Sequence, residues 1–257
     1  MDELLEFLDE FYEGKPRKGQ HCNFIPTMSF AGMGAGGGGP SNVSVVFTDE
    51  SSDTADTTSY SFASQSFGDA SSTRQIVICV ALWRPFNAGS ISSLTVGGVS
   101  ASLVKAQGSA GEVGQRVEMW SADVPTGTTG TVVVTTSVSF RACAIGVFAL
   151  YGADSTANDT GGDSSNSVGS AVMTDTINIP ENGGLIGCAM QNNNSASFTW
   201  DYGTEEYDAV FDTDGNGASH SGIGHTVESS VTGQSVSCTA SNSNGHAAMA
   251  MASWGVA

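Results

Sequence analysis

Residues 31 to 42, Ala-Gly-Met-Gly-Ala-Gly-Gly-Gly-Gly-Pro-Ser-Asn, sustain neither a helix nor a strand: glycine loses more backbone freedom on ordering than any other residue, and Pro40 lacks a donor. The run divides the chain into an N-terminal arm, residues 1–30, and a long Ser-, Thr- and Gly-rich region, residues 43–257. A short amphipathic helix joined by a tether to a β domain reads as a displayed head on a peg.

Within the arm, Leu4, Leu5, Phe7, Leu8, Phe11 and Tyr12 recur at helical spacing on one face. Acidic residues in the first turn and Lys15, Arg17 and Lys18 past the end both complement the helix dipole, and Gly14 and Pro16 stop it. A helix of about a dozen residues is marginal alone in water, so its apolar stripe needs a surface. That surface is either the chain's own β domain or a partner subunit. The tether favours the partner, with Leu4, Phe7, Leu8, Phe11 and Tyr12 as the buried anchor and Lys15, Arg17 and Lys18 as rim charges.

From residue 43 the period changes to two. Tyr60-x-Phe62, Phe198-x-Trp200-x-Tyr202 and Val236-x-Cys238-x-Ala240 alternate as half-buried strands, whereas 75–83 and 143–150 are apolar almost throughout and require cover on both faces. Further strands are expected at 43–48, 57–67, 93–104, 115–123, 130–137, 171–179, 184–191, 205–211, 218–226 and 247–254. Many short strands, turn residues between them and no helical period after the arm predict a mainly β protein: an antiparallel, jelly-roll-like β-sandwich, in one domain or in two lobes at 43–155 and 156–257.

Net charge is −18, and after Lys18 five basic residues face twenty acidic ones. Such a domain repels nucleic acid and anionic membranes, because affinity for either rests on Lys and Arg. Cys22, Cys79, Cys143, Cys188 and Cys238 are widely spaced without a Cys-x-x-Cys pair, as expected of reduced core thiols. The acidic start, Met-Asp-Glu-Leu-Leu-Glu, is unlike a signal peptide, so folding in a cytoplasm is expected.

Several groups invite a chemical reading. His220 and His225 are five apart and point to opposite faces of a strand, which separates them as metal ligands unless a bulge intervenes. Ser221 with Asp212 or Asp214 lacks a nucleophile elbow. Glu206 and Asp208 would share a strand face at a spacing usable by a glycosidase, yet read better as part of a solvated acidic hairpin with Glu205. Asp212-Thr-Asp-Gly-Asn-Gly has alternating oxygen ligands like a calcium loop but no EF-hand frame, and Asp49–Asp56 and Asp154–Asp163 are further acidic loops that would offer calcium ligands. No other metal or cofactor is expected, and no enzyme activity. Asn192, Asn193 and Asn194 beside Trp200 and Tyr202 offer an aromatic platform with polar groups, suited to a glycan; the plain alternative is a turn beside core aromatics.

A family resemblance follows from longer stretches. Phe47-Thr-Asp, Asp53-Thr-Ala-Asp-Thr-Thr-Ser-Tyr60-Ser-Phe62, Ser71-Ser-Thr-Arg74-Gln-Ile-Val-Ile-Cys79-Val, Ile91-Ser-Ser-Leu-Thr-Val-Gly97-Gly98, Met119-Trp120-Ser-Ala-Asp-Val-Pro125 and Arg141-Ala-Cys143-Ala-Ile-Gly146-Val-Phe-Ala-Leu-Tyr151 resemble the β-sandwich domain of tailed-phage virion proteins. The likeness covers about residues 43 to 155. It implies a non-enzymatic role on the virion surface, as capsid decoration or cement protein or head fibre, or else as a tail-fibre receptor-binding module. The implied partners are the major capsid protein or another virion subunit and further copies of the chain.

Overall fold

The structure is a computed structural model that describes residues 42–85, 89–109, 114–214 and 217–257; the expected helix, the glycine linker and Cys22 lie outside them. The described residues are all-β, with antiparallel pairing throughout. The first half holds β1 (Ser44–Asp53), β2 (Thr57–Ser66), β3 (Arg74–Trp83), β4 (Ile91–Val96), β5 (Val99–Ser100), β6 (Ser102–Gly108), β7 (Arg116–Asp123), β8 (Thr129–Phe140) and β9 (Ala142–Tyr151). The second holds β10 (Asp159–Ser165), β11 (Val168–Ile179), β12 (Gly184–Gln191), β13 (Phe198–Trp200), β14 (Thr204–Asp212), β15 (Ala218–Thr226), β16 (Val231–Asn244) and β17 (Ala247–Trp254).

These strands form four sheets. In the first half the five-stranded sheet β1-β9-β3-β7-β6 meets the four-stranded sheet β2-β8-β4-β5 across Tyr60, Phe62, Ile76, Ile78, Val132, Val134, Ile145 and Val147. In the second half β10-β17-β12-β15-β14 meets β11-β16-β13 across Met173, Leu185, Val236, Cys238, Met249 and Met251. The remaining faces of the two five-stranded sheets share a third core: Val77, Cys79, Ala144 and Phe148 from one, Ile186, Cys188, Ala248 and Ala250 from the other. Each five-stranded sheet is therefore covered on both faces, and β3, β12 and β17 are buried at every position. The uninterrupted apolar text at 75–83 and 143–150 has this cause.

The strand order of the second half repeats that of the first, with β5 the one strand lacking a counterpart. Registers agree as well. Cys79 stands opposite Gly146 and Met119, and Cys188 holds the corresponding place opposite Ala250 and Gly222. Even the bulge between Leu103 and Lys105 in β6 recurs between Glu205 and Tyr207 in β14.

Two expectations are corrected. The single strand read at 93–104 is cut into β4, β5 and β6, because Gly97 (φ 58°) and Gly98 (φ 83°) take the left-handed backbone of a tight turn. The acidic stretches read as loops at 49–56 and 154–163 enter strands, the first as the end of β1 through Asp53 and the second as β10 from Asp159 onward. The carboxylates of β10 replace part of a ladder: Asp159 and Asp163 accept the backbone N–H groups of Asn178 and Thr174 on β11, at 2.8 Å each, and Asp175 on β11 accepts that of Gly162 at 2.7 Å.

Tyr207 is an aromatic knob in the central seam. Its ring stacks on Phe47 with centroids 5.3 Å apart and lies against Gly146 of the first half and Gly222 of the second. A Cβ at either glycine would collide with the ring. We expect Gly222→Val to destabilise the protein by about 1–3 kcal/mol, the usual cost of overpacking, read as a lower urea midpoint; an unchanged midpoint would show that Tyr207 is free to move.

Candidate functional site

Most of the chemically suggestive side chains gather where the two halves meet, and their polar atoms are engaged within the protein. Trp83 Nε1 donates to Asn192 Oδ1 at 3.1 Å, and Arg141 lies over the Trp83 ring, 4.7 Å from its centroid. From there Arg141 pairs with Asp212 at 3.0 Å and Asp214 at 3.1 Å. The protein's own guanidinium thus pairs with both carboxylates of the calcium-like loop. Among the described residues, no group of three or more His, Cys, Asp or Glu is placed to hold a metal ion.

His220 is buried between the Tyr207 and Phe211 rings, and its Nε2 lies 3.0 Å from Glu50 Oε1 across the seam. His225 instead contacts Tyr202 edge-on, centroids 4.7 Å apart, so the two histidines serve opposite faces of β15. Ser221 is buried and accepts the Trp200 indole N–H at 3.0 Å. Asp208 accepts the Phe198 N–H at 3.0 Å, and the bulge at Glu206 breaks the alternation that would have set it beside Asp208. Asp49 stands in β1 beside its bulge against β9, and its carboxylate accepts the N–H groups of Glu50 at 2.9 Å and Ser66 at 2.7 Å.

The residues read as a glycan platform each have contacts within the protein. Asn192 is held by Trp83, and Asn193 bonds the Asn242 carbonyl and the Ser195 N–H and hydroxyl in a turn. Trp200 and Tyr202 pack against the core of the second half. Cys79, Cys143, Cys188 and Cys238 are buried free thiols; burial pushes Cys79, Cys143 and Cys238 well above the ordinary thiol range, away from nucleophilic use.

Sequence reasoning missed the concavity at the junction. A cleft of about 450 Å³ runs between β6, β7, the connector at 155–157 and β10, lined by Gln75, Leu103, Ser121, Asp123, Ser155 and Thr160. Gln75 is 3% exposed; its Nε2 donates to the Ser155 carbonyl at 2.8 Å, while its Oε1 is buried without a partner. The one signal in the text was a glutamine opening an otherwise apolar strand.

Fold and site together define an all-β protein of stacked antiparallel sheets in which His220, Ser221, Asp208, Asp212 and Asp214 make structural contacts, whereas Glu206 lines a small cleft beside His225. No protein family, curated protein or solved structure matches the chain.

Two outcomes are expected. Calorimetric titration with calcium gives neither heat nor a rise in Tm, because Arg141 already supplies the positive charge; binding at Asp212 and Asp214 would contradict this. Burial lowers the His225 pKa below its ordinary value of 6.5, so the unfolded chain takes up the proton more readily and stability falls as pH drops through that value. Melting curves between pH 8 and 5 should therefore show a smaller acid loss for His225→Gln than for the wild type; parallel curves would remove His225 as a cause.

Proposed function

We propose that this chain is a non-enzymatic structural protein of a tailed-phage virion, displayed on the particle surface as a capsid decoration or cement subunit or head fibre. The residues before the tether anchor it to the major capsid protein or another virion subunit, and the protein acts in multiple copies after assembly in the host cytoplasm. Each half of the β domain is jelly-roll-like in this reading. The strand orders β1-β9-β3-β7 and β2-β8-β4 are those of two Greek keys closed on each other, with β6 moved to the edge beside β7.

The observation that carries the proposal is the character of the two outward sheets. Ser59, Thr135 and Ser93 form one cross-strand row on the outer face of the first half. Thr174 and Ser237, with hydroxyls 2.9 Å apart, and Thr176 and Ser235 form rows on the second. Short neutral hydroxyls make a hydrated surface with little side-chain entropy to lose against neighbours. Cations are few for a further reason. Of the five basic residues after Lys18, Arg74, Arg116 and Arg141 are bonded internally and Arg84 lies 5.7 Å from the Phe140 ring centroid, leaving Lys105. A surface so poor in positive charge disfavours polyanions and suits a protein crowded in many copies without aggregating.

Co-sedimentation with capsids lacking the protein tests the role. Full-length chain should pellet at many copies per particle, whereas a version starting at Asn42 and a Phe7→Asp variant should stay in solution with an unchanged Tm. Normal incorporation of Phe7→Asp would refute the anchor, and failure of the full-length chain to pellet would refute the capsid placement.

A further inference from the structure

Several contacts between the halves come in reciprocal pairs once equivalent strands are matched, although β1 with β15, β7 with β17 and β1 with β12 have no reciprocal of comparable size. β1 touches β14, and its counterpart β10 touches β6; β9 touches β14, and β17 touches β6; β3 touches β15, and β12 touches β7. Between them β3 touches its own counterpart β12, and there the equivalent thiols of Cys79 and Cys188 are neighbours. Reciprocity about a self-paired element is the mark of a two-fold axis. The seam thus approximates a two-fold arrangement within one chain.

A two-fold axis makes sites in pairs, and the junction has two clefts at equivalent places. The larger is walled by Ser102, Ser121 and Asp123 of the first half with Thr160 of the second. A smaller one, of about 180 Å³, is walled by Thr204, Gly224 and Thr226 of the second half with Val45 of the first. The registers Ser102 opposite Ser121 and Thr204 opposite Gly224 are the same step of the repeat. They differ in filling. Where the first half has Gln75 the second has Gly184, and Val43 and Val45 crowd so closely on that glycine that a Cβ would meet them within 3 Å.

We propose that the larger cleft binds a neutral saccharide unit through its hydroxyl groups. The Gln75 amide is held by its Nε2, which donates to the Ser155 carbonyl at 2.8 Å and lies 3.5 Å from Asp123 Oδ1, so this wall of the cleft is fixed and polar, while its Oε1 is buried out of a ligand's reach. Asp123 and the Ser121, Ser155 and Thr160 hydroxyls add acceptors and donors, while half-exposed Leu103 and Val99 offer a flat apolar contact for the C–H face of a sugar ring. No Lys or Arg lines the cleft, which disfavours an anionic ligand. Its volume lies within the range of about 300–1,000 Å³ usual for small-molecule sites. This site is separate from the arm and stands or falls independently of the virion role.

Saturation-transfer NMR on the full-length protein tests it, with glucose, galactose, maltotriose and N-acetylglucosamine oligomers as neutral probes and galacturonate as the anionic one. At least one neutral probe should give signals. Ser102→Trp, which fills the cleft, and Asp123→Asn, which removes an exposed acceptor, should each weaken binding at least tenfold without changing Tm. Glu206→Gln, in the smaller cleft, should leave it unchanged. Silence from every neutral probe, binding that survives both cleft variants, or equal binding of galacturonate would overturn the proposal.

Discussion

Everything in this fold depends on two sheets having no face left for water. Once β3, β9, β12 and β17 are covered on both sides, their side chains must divide between two cores according to parity, and the seam between the halves must be thin enough to close. Alanine and glycine on those strands supply the thinness: Ala144, Ala248 and Ala250 let the sheets approach, and Tyr207 occupies the space beside Gly146 and Gly222. Burying an aromatic side chain of this size is worth about 1.5–3 kcal/mol or more, and here the gain exists only if both glycines remain bare.

Polar groups taken inside this stack had to be satisfied by the protein itself. Arg74 is 1% exposed, and its guanidinium donates to the carbonyls of Phe67, Gly68, Asp69, Val124, Thr126 and Gly127. One side chain thereby fixes two loops that would otherwise carry six unpaired acceptors. Glu118, equally buried, accepts from Arg116, from the Trp120 indole at 2.9 Å and from the Ile91 N–H at 3.2 Å. A buried charge held by several donors costs far less than an unpaired one, and removing any single donor exposes that difference.

The β class was legible because alternation is a local signal: Tyr60 and Phe62 point inward for the same reason that Ser59 and Ser61 point out. Double coverage of 75–83 was legible for a related reason, since no half-solvated strand tolerates such a run. What could not be read was the repeat. It resides in strand order, register and a shared bulge, whereas the side chains at matching places have diverged, as with Phe148 and Ala252 or Met119 and Gly222. Strand β10 was hidden because aspartate and glycine disfavour strands locally, and only the N–H groups of β11 make Asp159 and Asp163 useful there. The cleft was invisible for a third reason: residues as distant as Gln75, Ser121 and Thr160 meet only after the halves have closed.

A two-fold interface between separate identical chains imposes a discipline on change, since every substitution appears twice and a residue near the axis meets its own image. Two halves of a single chain are free of that rule. The aromatic knob Tyr207 has as its counterpart Lys105, and the cleft beside Gln75 has a counterpart filled by valine. Such unlike partners could not coexist in an identical pair. Within one chain one half supplies an aromatic wedge where the other supplies a lysine, so the molecule has two distinguishable sides.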